Sequence, residues 1–189
     1  MSLDILQQVL ARLYTDTEFR QRFFDNPEII GQEFCLNAEQ VQQLQELRSP
    51  QINFFARSLQ QKRLQAACSL LPLTYRALES QFSQLFGQYA PTYTPGGIKK
   101  HRQDAVMFCN FLSQIAALDS PWMRDLAEYE KGWLLTTEPQ FRWHRCRLHY
   151  NLAPFLQSGS RQLQRQNAIA LWIRLSPSAK THYFQLPWF

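Results

Sequence analysis

Long apolar runs are missing from this chain, and no window approaches the roughly 20 consecutive apolar residues that cross a bilayer. The opening MSLDILQQVL has neither a basic start nor a continuous apolar core, so no secretory signal is read there. Cysteine is sparse. Cys35, Cys68, Cys109 and Cys146 lie far apart, each beside apolar residues, and no pair has the short spacing of a zinc or redox motif. They are expected as buried free thiols in a reducing, cytoplasmic setting. Catalytic motifs are missing too: there is no Gly-x-Ser-x-Gly, no phosphate-cradling glycine loop and no pair of carboxylates on one face. The best metal candidate, His144, Cys146 and His149, fails on period, because a strand turns His149 away from the other two. The chain is therefore expected to be no enzyme and to carry no metal or cofactor.

What is present is a globular composition. The 189 residues are 45% hydrophobic and 14% aromatic, enough for one large domain or two small ones with a real core. The formal net charge of +5 permits acidic partners without demanding them. Helical spacing dominates the first three quarters. Ile5, Leu6, Val9, Leu10 and Leu13 mark a helix over about Leu3–Tyr14, with Ser2 as its cap. Thr17 opens a short helix carrying Phe19, Phe23 and Phe24, and Asn37 with Gln40 predicts a capping box before Ala38–Leu47. Phe54–Ala90 reads as two amphipathic helices broken at Leu71-Pro72-Leu73-Thr74, because proline removes a backbone donor and clashes with the preceding turn. Thr74 is expected to cap the second, whose face carries Tyr75, Leu78, Phe82, Leu85 and Phe86. Further helices start near His101 and after Ser120-Pro121, the last with Trp122, Leu126, Tyr129 and Trp133 on one stripe.

After about Phe141 the period becomes two. Cys146, Leu148, Tyr150 and Leu152 alternate with Arg145, Arg147, His149 and Asn151. Beyond a polar stretch, Gln157–Asn167, Ile169, Leu171, Ile173 and Leu175 alternate with Ala170, Trp172 and Arg174, and Ser176-Pro177-Ser178 turns into a partner strand at His182–Leu186. The expected fold class is α+β, mainly α: a helical bundle over residues 1–138 and a small antiparallel β subdomain over 139–189.

Two cationic groups stand out. Pro95-Gly96-Gly97-Ile98-Lys99-Lys100-His101-Arg102 puts Lys99, Lys100 and Arg102 at a helix start, where they oppose the helix dipole unless a phosphate or carboxylate is bound. Arg142, Arg145 and Arg147 interleave with Phe141 and Trp143 on a strand, a combination that grips an acidic peptide or stacks bases. With Trp172 these make the candidate peptide- or partner-binding surface. Arg57, Lys62 and Arg63 share one helix.

Several word-like stretches carry a resemblance. Leu10-Ala11-Arg12-Leu13-Tyr14-Thr15-Asp16 with Phe19-Arg20 and Phe55-Ala56-Arg57-Ser58-Leu59 with Lys62-Arg63 belong to it. So do Leu71-Pro72-Leu73-Thr74, Phe82, Leu85-Phe86, Tyr89-Ala90, Asp104-Ala105 and Leu126-Ala127-Glu128-Tyr129-Glu130. Over about residues 5–135 the chain resembles the helical partner proteins, or fused C-terminal domains, of multinuclear non-haem iron oxidases that modify ribosomally made peptides. It is also similar to the putative DNA-binding domains found beside such oxidases. The resemblance implies a non-catalytic partner that binds a precursor peptide, by strand addition or on the arginine–aromatic surface, with the iron ligands in the oxidase chain. A DNA-binding regulator is the alternative, although no helix-turn-helix with a strongly basic recognition helix is evident.

Overall fold

In the computed structural model, residues 2–115, 118–138, 140, 142–176 and 178–188 are described. The fold is α+β and mainly α: ten α-helices among the described residues and one three-stranded antiparallel sheet. The chain divides into two compact units, residues 1–64 with 90–94, and residues 65–89 with 95–189. The boundary between residues 138 and 139 thus falls inside the second unit, where the sheet and several helices share one core.

The first unit contains α1 (Ser2–Thr15), α2 (Thr17–Asp25), α3 (Pro27–Glu33), α4 (Ala38–Gln45), most of α5 (Ser49–Leu70) and a single 3-10 turn, Ala90–Thr92. Local caps set its helix starts. Asp16 accepts from the Phe19 amide at 2.9 Å, Asn26 caps α3, and the predicted Asn37–Gln40 capping box is present. The amphipathic faces bury Val9, Leu13, Phe19, Phe23, Ile30, Leu44 and Ile52 together. Of the four thiols expected to be buried, Cys109 is, Cys68 and Cys146 are half-buried, and Cys35 is exposed, with φ of 51° just past the end of α3, so its position follows the turn rather than its hydropathy.

The second unit is built round α9 (Trp122–Thr136), which packs against α6 (Pro72–Leu78), α8 (Lys100–Gln114) and the sheet. The Leu-Pro-Leu-Thr break is real, but Thr74 is not its cap. Leu71 holds the cap position, Pro72 opens α6, and Thr74 is wholly buried within it. The orphan amides of Leu73 and Thr74 instead donate to the Glu130 carboxylate of α9, at 2.9 and 2.7 Å. An anion at a helix N-terminus is the favoured sign. Nor does one helix carry Tyr75 through Phe86: Glu79, at φ 50°, ends α6 and α7 (Ser80–Tyr89) begins anew. Phe82, Phe86 and Tyr89 of α7 meet Phe108 of α8 at ring-centroid distances of 5.1–5.3 Å, filling the space between those helices.

Strands β1 (Trp143–Tyr150), β2 (Arg165–Ile173) and β3 (His182–Pro187) follow, in spatial order β1-β2-β3, with α10 (Ala153–Ser158) inserted after β1. Part of the stretch expected to be merely polar is thus the end of α10 and the start of β2. Phe141 and Pro177, named in the sequence reading, lie outside the described residues.

Candidate functional site

Register decides which side chains of the sheet share a face. Arg147 pairs with Ile169 and Ile169 with Leu186; Arg145 pairs with Leu171 and Leu171 with Phe184; Trp143 pairs with Ile173 and Ile173 with His182. Directly opposed residues lie on one side of an antiparallel sheet, so these nine form a single outer surface. It is apolar where solvent-facing sheet surfaces are normally polar. Trp143 is 60% exposed, Phe184 49% and Leu186 53%, with Leu175 continuing the same alternation. The Arg147 guanidinium reaches across β2 and sits 4.4 Å above the Trp188 ring. Stacking fixes its plane while leaving edge N–H groups for an acceptor.

The inner face carries the other half of the alternation. Ala168, Ala170 and Trp172 of β2 are buried, as is Leu148 of β1. Trp172 lies over Gly132 of α9 so closely that a Cβ there would come within 2.6 Å of the indole. Tyr129, Trp133 and Tyr183 surround the same ring. This corrects the expectation for Trp172: it is a core residue of the central strand and contributes to no exposed edge. Small alanines and a facing glycine make room for it, so the bulkiest residue of β2 goes inside and the branched ones stay out. Arg174 is likewise buried, donating to the Thr137 and Glu138 carbonyls at 3.2 and 2.5 Å and so satisfying the C-terminal end of α9.

The cations at the start of α8 do not stand free. Lys99 and Arg102 both pair with Glu138, the latter at 2.5 Å. The dipole conflict expected there is met by the chain's own carboxylate, on one wall of a cleft of about 340 Å³ that Val106, Leu134 and Leu135 also line. The Lys99 ammonium bonded to it, then Arg102, hold Glu138 below the usual carboxylate range. Lys100 is exposed, as is Arg142, which precedes β1 and accepts the Arg174 amide through its carbonyl. Among the described residues, neither Arg142 nor Arg145 makes a side-chain hydrogen bond or ion pair.

Buried Asp125 and the half-buried Cys146 and His144 are structural in their chemistry. Asp125 accepts from the His149 and Tyr150 amides at 2.5 and 2.9 Å, bracing the irregularity that shifts the β1 register between Leu148 and Tyr150. Burial pushes the Cys146 thiol up to about 12, which keeps it protonated and poorly nucleophilic. Burial holds the neighbouring His144 below its ordinary value.

One signal escaped the sequence reading although it is plainly there. Glu138 is the last acidic residue: residues 139–189 contain no Asp or Glu but seven Lys or Arg. The modest charge of the whole chain hides this asymmetry, because all the acidic residues lie at or before Glu138. The outer face therefore combines aromatic, branched and guanidinium groups with no competing carboxylate from its own segment. No protein-family model and no curated protein matches this chain.

Proposed function

We propose that the chain is a non-catalytic recognition protein that binds an acidic peptide segment on the outer face of its sheet. The acid-free arginine–aromatic surface carries this reading. A soluble sheet gains nothing from exposing Trp143, Phe184, Leu186 and Trp188 together, whereas a partner that covers them gains apolar burial worth about 25 cal/mol per Å². Arg145 and Arg147 select the sign of the partner, and β1 and β3 are the edges at which an extended segment adds a strand. The resemblance to helical partners of multinuclear iron oxidases gives the peptide a natural source, a ribosomally made precursor, with the redox chemistry in the partner chain. Titrating labelled Cys-containing precursor peptides, and scrambled versions of them, against the protein tests the reading by fluorescence anisotropy. Charge reversal of Arg145 and Arg147 is expected to abolish binding; undiminished binding by that variant sinks the site.

The same acid-free surface favours a second reading, single-stranded nucleic acid stacked on the aromatics. Its signature is affinity that falls linearly with the logarithm of salt concentration and ignores peptide competitors. The helix expected to offer Lys62-Arg63 to DNA gives it less support, since Arg63 is committed to the carbonyls of Ala90 and Tyr93 at 3.0 and 2.8 Å.

A further inference from the structure

The first unit holds a cavity of about 290 Å³ where the α1–α2 turn faces the middle of α5 and the 3-10 turn. Its wall is mixed: Ala56, Leu59, Ala90 and Pro91 stand beside cationic and hydrogen-bonding side chains. Arg20, Arg57 and Arg63 all line it, with the hydroxyls of Tyr14, Thr15 and Thr17 and the amides of Asn53 and Gln60 between them. Helical spacing explains the convergence: Asn53, Arg57, Gln60 and Arg63 recur every three or four residues and so share one face of α5.

The Arg20 guanidinium is held by neutral atoms. Arg20 donates to the Leu13 carbonyl at 2.8 Å and to the Thr17 hydroxyl at 3.2 Å. Those acceptors fix its orientation without cancelling its charge, and its remaining N–H groups stay available. Asp16, the carboxylate nearest in sequence, is engaged elsewhere: one oxygen caps α2 through the Phe19 amide and the other pairs with Arg12 at 3.1 Å. Arg57 is exposed at the rim and makes no ion pair among the described residues. Arg63 contributes shape, bracing the Ala90–Tyr93 segment that closes the cavity. Burial lowers the Arg20 pKa against the opposing pull of Asp16, the sign expected of a cation short of negative charge.

We infer that this cavity is a binding site for a small oxyanion, a phosphate or carboxylate group carried by a molecule small enough to fit it. Arg20 supplies the fixed charge and Arg57 closes over the anion from the rim. The Thr17 hydroxyl, which accepts from Arg20 and keeps its own proton, and the Gln60 amide complete the anion's hydrogen bonds. A planar guanidinium fork suits either group, which is why the shared oxyanion chemistry and not one molecule is assigned.

Thermal denaturation in inorganic phosphate, citrate and chloride at matched ionic strength tests this on the intact chain. A site gives a saturable rise of about 2–4 °C with phosphate or citrate and none with chloride. Which of the two saturates at lower concentration identifies the source. Arg57→Gln should weaken that response at least tenfold, and Gln60→Glu, which puts a carboxylate on the wall, should remove it. An equal shift from chloride overturns the proposal, as does an undiminished phosphate and citrate response in both variants. Arg145→Gln, on the sheet, should leave the response intact, so failure here and failure of the peptide reading are separate results.

Discussion

The two faces of one sheet obey opposite rules. Beneath it, Trp172, Ala170 and Leu148 are sealed against α9, and the Asp125 carboxylate takes up the His149 and Tyr150 amides. Above it, Ile169, Leu171 and Ile173 are only half-buried beside exposed Trp143, Phe184 and Leu186. Both faces are apolar, so hydropathy does not tell them apart; shape does. Gly132 offers a flat seat to one indole, whereas no described element covers the branched row above. The inner face is what the fold needs and the outer face is what the fold has left over.

Breaking the inner face should cost most. Trp172→Ala removes a wholly buried ring from a close-packed seat and is expected to destabilise by about 3–5 kcal/mol in urea denaturation. A loss below about 1 kcal/mol would falsify the seat on Gly132.

Next comes the buried carboxylate of α9. Glu130→Ala strands the Leu73 and Thr74 amides, costing about 1–3 kcal/mol for each donor left buried and unmet. Glu130 and Glu138 should also titrate in opposite senses. Burial, outweighing its hydrogen bonds, raises Glu130, so its contribution is complete below the ordinary carboxylate value and is lost as pH rises through the folded one. Lys99 and Arg102 lower Glu138, so its contribution is present above the ordinary value and disappears as the solution is acidified through its folded pKa. Glu138→Gln should cost about 1 kcal/mol near neutral pH and nothing in acid, while Glu130→Gln should remove the loss that sets in as pH rises above the ordinary carboxylate value; parallel pH profiles for the two variants contradict this.

Why some of this was readable and some not comes down to the range of the interactions. The Asn37–Gln40 cap, the Pro72 break and the period-two strands depend on neighbours a few residues away, and each is where spacing puts it. Thr74 does not cap α6 because that role belongs to Glu130, distant in sequence and adjacent in space. The side taken by Trp172 is not legible because alternation identifies two faces but not which one meets a helix; Gly132 decides that, and a lone glycine in a helix announces nothing. The cations at the start of α8 suggest a bound anion from spacing alone, whereas Lys99 and Arg102 pair with Glu138, which stands 36 or more residues further along the chain. By contrast, the missing acid beyond Glu138 needed no structure at all, only a count by segment.

The smallest effect on stability should accompany the largest on recognition, and that pairing is the sharpest form of the comparison. Phe184→Ser with Leu186→Ser changes two exposed residues of an edge strand, so unfolding free energy should move by no more than about 0.5 kcal/mol for each. Serine at both positions also removes apolar area from the β3 side of the proposed docking surface while keeping Arg145 and Arg147 in place. Affinity for an acidic precursor peptide should then fall at least tenfold, with the residual binding abolished by moderate salt because only the guanidiniums remain. If the double variant instead unfolds readily, the outer row is core by another route and the distinction between the faces fails. If it stays folded and binds as before, charge alone recruits the partner and the aromatic row has no part in recognition.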